Sequence, residues 1–271
     1  MDTTSFTTSR GFSFAAAALA AAASLGLAGA ASASTIYSDN FVQASGTVLN
    51  GQVVQSSATY AGGTAGATWI ADLNIKTSGS NSVNVGSPQN MYLPFSPDAG
   101  YIYTLTATLN DTTPGSDGGW LAAGFAPKTA IGSGFYNNNY DWALVRNTAA
   151  GTAGETPQYF GGPSATNSSG LGTTVDNGLQ TLIITLNTSA TAWTGSATIN
   201  GASDSYTYAT NPTITDVALG AWIDSGTISN FSLTAVAAAP VPTPSSLGLL
   251  AAGAVGVMLL LMQRRSSVVN R

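Results

Sequence analysis

One short segment of the sequence concentrates side chains of the kinds that bind sugars. Residues 134–142 contain four aromatic rings, three amides and one carboxylate within nine positions. Aromatic faces stack on the C–H surfaces of sugars, and amides and carboxylates hydrogen-bond to sugar hydroxyls. The segment therefore predicts a glycan-contacting loop, whose candidate residues are Tyr136, Asn137, Asn138, Asn139, Tyr140, Asp141 and Trp142.

The same segment also has a purely structural interpretation. Residues 137–139 can form a turn, because Asn tolerates the backbone conformations that turns require. Phe135, Tyr140 and Trp142 would then alternate into a protein core. At the level of sequence both interpretations stand.

Carboxylates elsewhere in the sequence are candidate calcium ligands. Asp111 and Asp117 lie close together in the loop predicted for residues 110–118, and Asp141 follows later in the chain. With nearby Asn side chains they supply the oxygen ligands that Ca²⁺ prefers, but their spacing matches no established calcium loop. Acids among Gly and Pro residues usually solvate turns. We therefore predict no catalysis here, and calcium binding stays open as a second possibility.

Several catalytic chemistries are excluded by composition. The sequence has no Cys and no His, which removes disulfides, thiolate and imidazole metal sites, and the triads that use either residue. Its Gly-rich stretches lack the strand-to-helix context and the Lys that phosphate binding requires. The sequence therefore predicts that the protein is not an enzyme and needs no cofactor.

The charge of the middle of the chain restricts its partners. Residues 34–239 are 206 residues long, enough for one domain with a hydrophobic core. They carry 11 acidic and 3 basic side chains, which gives a net charge of −8. Nucleic acid requires clustered Lys and Arg to meet its phosphates. A nucleic-acid partner is therefore excluded.

Apolar residues in this middle segment recur with a period of two, as in β-strands. The clearest runs are 101–109, 182–186 and 193–199, and the last is followed by an Asn200-Gly201 turn. Further strand candidates are residues 47–55, 67–70, 73–76, 81–85, 91–95, 119–126, 141–146, 157–160, 217–223 and 227–234. Many short strands separated by Gly, Asn, Ser and Pro predict an all-β fold, an antiparallel two-sheet sandwich of jelly-roll type.

Four strand-sized motifs follow one another at residues 119–125, 179–186, 193–195 and 226–233. Their order resembles the concanavalin-like jelly-roll domains of lectins and glucanases, over residues 36–235. The resemblance implies that the final strand, with Asn230 and Phe231, lies beside an N-terminal strand around residues 37–42. Laminarinase-type members carry two Glu flanking an Asp on one strand, whereas the only Glu here has no acid two or four residues away. The resemblance therefore implies the fold without that hydrolase activity.

The C-terminus has the composition of a protein-sorting signal. Pro242, Thr243 and Pro244 form a Pro-x-Pro hinge within residues 240–246, the uncharged apolar run 247–262 follows, and Arg264 and Arg265 begin the basic tail 263–271. The run predicts a transmembrane helix of about 24 Å. Together these features resemble the PEP-CTERM sorting signal, although Thr243 replaces the usual Glu. The resemblance implies an exosortase-type sorting protease as partner and delivery to the inner membrane. An uncleaved anchor is the alternative.

The N-terminus predicts export. Arg10 precedes a stretch, residues 12–31, that is almost entirely Ala, Leu, Gly and Phe, and Ala31 and Ala33 satisfy the small-x-small rule of signal peptidase. We therefore predict a Sec-type signal peptide over residues 1–33. The positive-inside rule then places the basic tail in the cytoplasm and residues 34–244 outside it.

These features together predict function. The chain is expected to be an exported protein, held in the envelope by a single span or released to the surface after processing. Only 14 of the 206 residues in its middle segment are charged, and Thr, Ser, Asn, Gly and Ala dominate its polar surface. We expect a structural or interaction role in the cell envelope or exopolysaccharide matrix. A carbohydrate-binding lectin-like module is the first alternative, and a divergent polysaccharide-active enzyme is the second.

Overall fold

A computed structural model of the chain describes residues 31–86, 88–112, 119–127, 140–146, 157–162, 168–171 and 179–239. This part of the chain is built from β-strands and contains no helix. Among these residues there is accordingly no helical segment that could span a bilayer. The Pro-x-Pro hinge, the membrane helix, the basic tail and all but the last residues of the signal peptide lie outside the described residues, and they stay predictions.

The described segments contain sixteen strands in chain order. They are β1 (Ser34–Asp39), β2 (Ser56–Ser57), β3 (Ile70–Ala71), β4 (Lys76–Thr77), β5 (Ser82–Val85), β6 (Gln89–Pro94), β7 (Tyr101–Asp111), β8 (Trp120–Ala126), β9 (Tyr140–Val145), β10 (Gln158–Gly162), β11 (Ser168–Gly170), β12 (Leu179–Asn187), β13 (Thr194–Ile199), β14 (Ala202–Thr207), β15 (Asp216–Trp222) and β16 (Gly226–Ala237).

These strands form two sheets. The nine-stranded sheet has the order β14-β13-β12-β7-β16-β1-β2, with β5 also paired to β16 and β4 to β5. The seven-stranded sheet has the order β11-β10-β9-β8-β15-β6-β3. Every strand pair in both sheets is antiparallel. The predicted all-β class with two antiparallel sheets is confirmed.

The two-residue alternation decides which face of each strand is buried. In β7 the side chains of Tyr103, Leu105, Ala107 and Leu109 are buried, while Thr104 and Thr106 remain partly exposed. The predicted apolar rows of β12 and β13 are buried in the same way. Each of these strands therefore presents an apolar face to the core and a largely hydroxyl-bearing face to solvent.

Side chains from both sheets form one core between them. Phe95 contacts Tyr103 edge-on, with ring centroids 5.1 Å apart, and also lies 5.8 Å from Phe125 of β8. Apolar side chains of the two inner faces meet in the same cluster: Leu105, Ile184 and Leu233 from the nine-stranded sheet, with Leu121, Val145 and Leu219 from the seven-stranded sheet. Burial of this surface supplies the driving force for folding.

The ends of the domain pair as predicted. β16 lies beside β1, with Leu233 opposite Tyr37, and on its other side it pairs with β7. The predicted Asn200-Gly201 turn joins β13 to β14, and both residues have positive φ values, 49° and 83°. Two consecutive positive φ values match the right-handed twist of a hairpin, and Gly and Asn adopt them at least cost.

Several predicted features differ from the structure. Residues 67–70 and 73–76 were predicted as strands, but only Ile70 and Lys76 lie in strands, because a turn around Asp72 occupies the residues between them. Residues 47–55 were predicted as a strand, but they form only isolated bridges, Val48 to Lys76 and Val53 to Thr68, because no neighbouring strand runs alongside them. Asp111 was predicted in a loop, but it is the last residue of β7 and is 4% exposed. The short strand β11 was not predicted at all. Its three residues, Ser-Ser-Gly, carry no apolar alternation.

A buried carboxyl group links the first strand to the loop that contains Trp69. Asp39 is fully buried at the end of β1. Its Oδ2 accepts a hydrogen bond from Trp69 Nε1 at 2.8 Å, and its Oδ1 accepts one from the backbone N–H of Phe41, also at 2.8 Å. Phe41 has a φ of 53°, an unfavourable region for an aromatic residue. Trp69 in turn contacts Phe231 of β16, with ring centroids 5.1 Å apart.

Replacing Asp39 with Ala should destabilise the domain strongly. The change leaves the N–H groups of Trp69 and Phe41 buried without an acceptor, at a cost of about 1–3 kcal/mol for each. Asp39→Asn keeps one carbonyl oxygen and should lose less. Urea denaturation of the full-length chain measures both variants. Asp98→Ala, at an exposed position, is the control and should change stability by less than about 0.5 kcal/mol. Equal losses at positions 39 and 98 would contradict this role.

Candidate functional site

The predicted glycan-contacting segment lies only partly within the described chain. Tyr136, Asn137, Asn138 and Asn139 lie outside it, whereas Tyr140, Asp141 and Trp142 are the first residues of β9. β9 lies between β8 and β10 in the seven-stranded sheet, so successive side chains point to opposite faces of that sheet. The three residues therefore belong to two different environments.

Asp141 points between the two sheets. Its carboxyl group is fully buried, and Oδ1 accepts a hydrogen bond from the Tyr159 hydroxyl at 2.7 Å. The opposing strand β13 approaches so closely that a Cβ on Gly195 would lie 2.5 Å from Asp141 Oδ1 and 2.4 Å from Tyr159 Oη. Only glycine fits at this contact. Asp141 therefore contributes to the interface between the sheets rather than to the outer surface.

Burial controls the ionisation of this cluster. Desolvation raises the pKa of Asp141 well above its usual value, and the hydrogen bond from Tyr159 opposes the rise without cancelling it. Asp141 Oδ2 has no hydrogen-bond partner. Burial also raises the pKa of Tyr159 and of Tyr208, whose hydroxyl donates to the Tyr140 carbonyl oxygen at 3.1 Å. The raised pKa shifts Asp141 toward its neutral form, compared with a carboxyl group in water.

Trp142 belongs to a second apolar cluster, on the outer face of the seven-stranded sheet. In β8, Trp120 and Ala122 lie in this outer cluster, while the alternating Leu121 and Ala123 lie in the core between the sheets. Trp142 stacks on Phe160 of β10, with ring centroids 4.1 Å apart and planes within 6°. Further aromatic members are Tyr92, Tyr140 and Trp222. We call this group the outer aromatic cluster.

The structural interpretation of the segment accounts for part of these positions. Tyr140 and Trp142 do share one face of β9 and pack among apolar side chains, but that face is the outer one and not the core between the sheets. Trp142 is 3% exposed and Tyr140 is half-buried. Sugar contact by this segment stays a prediction.

The calcium candidates are separated by the fold. Asp111 ends β7 in the nine-stranded sheet, Asp141 lies on β9 in the seven-stranded sheet, and Asp117 is outside the described residues. Within the described chain no three acidic side chains come together as a cation site.

A groove lies on the opposite side of the sandwich, and the sequence did not predict it. It crosses β12, β13 and β14 on the outer face of the nine-stranded sheet and has a volume of about 410 Å³. Six polar side chains line it: Thr185, Asn187, Thr194, Ser196, Ser205 and Thr207. The alternation of Thr with apolar residues predicted that hydroxyls face outward. It could not show that three strands would bring them together.

Comparison with known proteins gives structural similarities only. No protein-family model matches the sequence, and neither does any curated protein. The endo-1,3-beta-glucanase of Streptomyces sioyaensis is 13% identical, with a TM-score of 0.49 over 76% of this chain and 97% of that chain. The metal-free carbohydrate recognition domain of Emp46p is 13% identical, with a TM-score of 0.44 over 63% and 88%.

Lectin II from Ulex europaeus is a third similar structure. It is 12% identical, with a TM-score of 0.42 over 63% of this chain and 92% of that chain. Similarity at this level says nothing about activity or ligand. Only the residues of this chain itself therefore bear on its function.

Replacing Asp141 with Asn should remove a pH-dependent loss of stability. Because the pKa of Asp141 is raised by folding, its contribution to stability is complete below about pH 4, the pKa of an unfolded Asp. That contribution falls as the pH rises from there toward the folded-state pKa. Asn mimics the neutral carboxyl group at every pH. We expect the variant to gain stability relative to the native chain between pH 4.5 and pH 7.5, as measured by urea denaturation.

Asp98→Asn provides the control for this measurement, because Asp98 is exposed. It should leave the pH dependence of the free energy of unfolding close to that of the native chain. If Asp141→Asn and Asp98→Asn give the same pH profile, the buried carboxyl group is not the source of the effect.

Proposed function

We propose that this chain is an exported, non-catalytic protein of the cell envelope or exopolysaccharide matrix, which acts through the surface of its β-sandwich. The observation that carries the proposal is the outer face of the nine-stranded sheet. One cross-strand row on this face consists entirely of hydroxyl residues: Ser205, Ser196, Thr185, Thr104, Thr234 and Thr35. In the next row six of the seven residues are Ser or Thr: Ser203, Thr198, Ile183, Thr106, Ser232, Ser38 and Ser56.

Such a face suits contact with hydrated neutral polymers. Ser and Thr hydroxyls both donate and accept hydrogen bonds, as the hydroxyls of a polysaccharide do. The two rows contain no charged side chain, so they attract neither counterions nor nucleic acid. An interaction role in a polysaccharide-rich layer follows from this chemistry.

Burial of five of the eight described acids favours a non-catalytic role, and only Asp72, Asp98 and Asp204 reach the surface. Asp39 and Asp141 are fully buried and hold neighbouring groups by hydrogen bonds. Asp111, Asp216 and Asp224 are buried as well, each less than 5% exposed. General acid and base catalysis needs groups that can reach a substrate. The single Glu of the sequence, Glu155, lies outside the described residues.

Export and anchoring complete the proposal. The signal peptide directs the chain through a Sec-type pathway, and the apolar run 247–262 holds it in the inner membrane with Arg264 and Arg265 inside. An exosortase-type protease then cleaves near Pro242 to release the domain toward the surface. These steps rest on the composition of the two ends of the chain.

A lectin-like role is the second candidate, and the outer aromatic cluster favours it. Trp120 and Trp142 lie with ring centroids 5.8 Å apart, and Phe160 extends the series to the next strand. Rows of aromatic side chains across adjacent strands offer apolar surface for sugar rings. Tyr140, Phe160 and Trp222 are the partly exposed members of the cluster and would make the contact.

A matrix assay tests the proposed function. In cells that produce the chain, we expect it in the envelope or extracellular matrix fraction, and we expect its deletion to lower the amount of polysaccharide retained there. The purified full-length chain should release no reducing ends from the same polysaccharide. Recovery of the chain only in the cytoplasm would overturn the export proposal, and turnover of the polysaccharide would restore the enzyme alternative.

Processing should depend on the sorting protease. Intact-mass measurement should find the tail removed within residues 242–246 in cells that have the protease, and the full-length C-terminus in cells that lack it. Thr243→Glu restores the usual triplet and should raise the cleaved fraction, whereas Thr243→Gln serves as an uncharged control of similar size. Identical full-length C-termini in both cell types would identify a plain membrane anchor instead.

A further inference from the structure

The groove on the outer face of the nine-stranded sheet has the features of a built binding surface. We call it the hydroxyl groove. Its polar lining comes from two cross-strand rows in register, Asn187-Thr194-Thr207 and Thr185-Ser196-Ser205. Neighbours in a row lie about 5 Å apart, and the two rows are separated by about 7 Å along the strands. One pyranose ring has dimensions similar to this spacing.

The polar groups of the hydroxyl groove are available to a ligand. In the described part of the chain, the hydroxyls of Thr185, Thr194, Ser196 and Ser205 take part in no side-chain hydrogen bond. Asn187 uses its Oδ1 to accept from the Ser189 backbone N–H at 2.9 Å, which leaves its NH₂ group to donate. Ile102 shares this face and adds apolar surface, whereas the Tyr206 ring lies on the other face of the sheet, beside Gly161 and Gly162. Sugars require this combination of hydrogen-bonding and apolar groups.

The floor of the hydroxyl groove is held from behind. Gly195 lies between Thr194 and Ser196, and its backbone packs directly on Asp141 and Tyr159 of the other sheet. At the edge of the sheet, Tyr206 packs on Gly161 and Gly162, where an added Cβ would come within 2.5 Å and 2.6 Å of its side chain. Contacts this tight limit movement of β13 and β14. Because these strands are already fixed, the protein loses less conformational entropy when a ligand binds.

Charge selects the class of ligand. None of the residues that line the hydroxyl groove is charged. The net charge of −8 over residues 34–239 repels anionic polymers and gives a neutral one no penalty. Peptide recognition at a sheet surface usually relies on apolar pockets or charge pairs, which the groove lacks. A neutral polysaccharide therefore fits this surface best.

We propose that the hydroxyl groove binds a stretch of a neutral polysaccharide chain, with its sugars hydrogen-bonded to Thr185, Asn187, Ser196 and Ser205 and in contact with Ile102. This inference names the ligand class and the site of the proposed function, and it rests on that function for the exposure of the domain to polysaccharide. The site lies on the opposite sheet from the outer aromatic cluster. The two surfaces can therefore be tested independently.

Affinity electrophoresis of the full-length chain in detergent tests this site, with soluble β-glucan, galactomannan and dextran as neutral probes and alginate as the anionic one. We expect retardation by at least one neutral polysaccharide and none by alginate. Thr185→Ala with Ser196→Ala should weaken the binding about tenfold, as expected for the loss of two hydrogen bonds. Ser205→Glu, which adds a charge and bulk at the groove, should weaken it at least as much.

Matched controls lie on the same face, outside the groove and outside both hydroxyl rows. Thr181→Ala with Ser229→Ala repeats the double change, because both residues pair with Thr108 on this face. Thr181→Glu repeats the charge change on β12. These controls should bind as the native chain does. Equal losses in groove and control variants, or no binding to any neutral probe, would overturn the proposal.

Phe160→Leu separates this site from the outer aromatic cluster. If that variant loses binding while the groove variants retain it, the ligand binds at the other sheet and the hydroxyl groove is not its site. Cell fractionation tests the proposed envelope function, and its result does not depend on which surface binds the ligand. The electrophoresis can therefore contradict binding in the hydroxyl groove while the fractionation still supports the envelope role.

Discussion

Packing of two sheets across a single apolar core is the interaction on which the rest of this structure depends. The chain has no Cys, so no disulfide restrains it, and the described domain contains no helix that could supply other contacts. Its stability must come from the inner faces and from a few buried polar groups such as Asp39. The tightest approach is at Gly195, where β13 meets Asp141 and Tyr159 without room for a side chain. The spacing between the two sheets at this position is therefore set by the Gly195 backbone, and no residue with a side chain can replace this glycine.

Both candidate surfaces are consequences of that packing. Because side chains alternate along each strand, burying Leu182, Ile184 and Leu186 places Thr181 and Thr185 on the outside. The seven-stranded sheet obeys the same rule with a different outcome, since its outer positions hold Trp120, Trp142 and Phe160. One sheet therefore presents hydroxyls and the other aromatics, although the alternation is identical. The surface chemistry of the two sheets differs because different residue types occupy their outward-facing positions.

Much of the fold could be predicted from the sequence, because the signal is local. Regular alternation in residues 101–109 and 182–186 identified β7 and β12, and Asn200-Gly201 identified the hairpin between β13 and β14. The failure at residues 47–55 has a physical reason. A strand exists only where a partner runs beside it, and that segment meets its neighbours at single bridges. Local pattern alone carries no information about such partners.

The candidate sites were harder to predict for the same reason. The hydroxyl groove joins Thr185 to Ser196 and Ser205, which become neighbours only through the register of three strands. The direction of Asp141 depends on the parity of β9 within its sheet, which the aromatic composition of residues 134–142 did not reveal. The register of a strand decides the face on which every one of its side chains lies. Sequence therefore identified the residue types but not the groups they would form.

The position of β16 at the end of the described domain has a consequence for how this protein reaches its native state. β16 separates β7 from β1 in the nine-stranded sheet, so the strands on its two sides meet only through it. Asp39 pairs with Phe231 across 192 positions of sequence, and Thr104 pairs with Thr234. Such long-range pairing makes folding slow compared with that of helical proteins of the same size. Until residue 237 has left the ribosome, β1 and β7 remain open edges, and an open edge of this kind can pair with another chain.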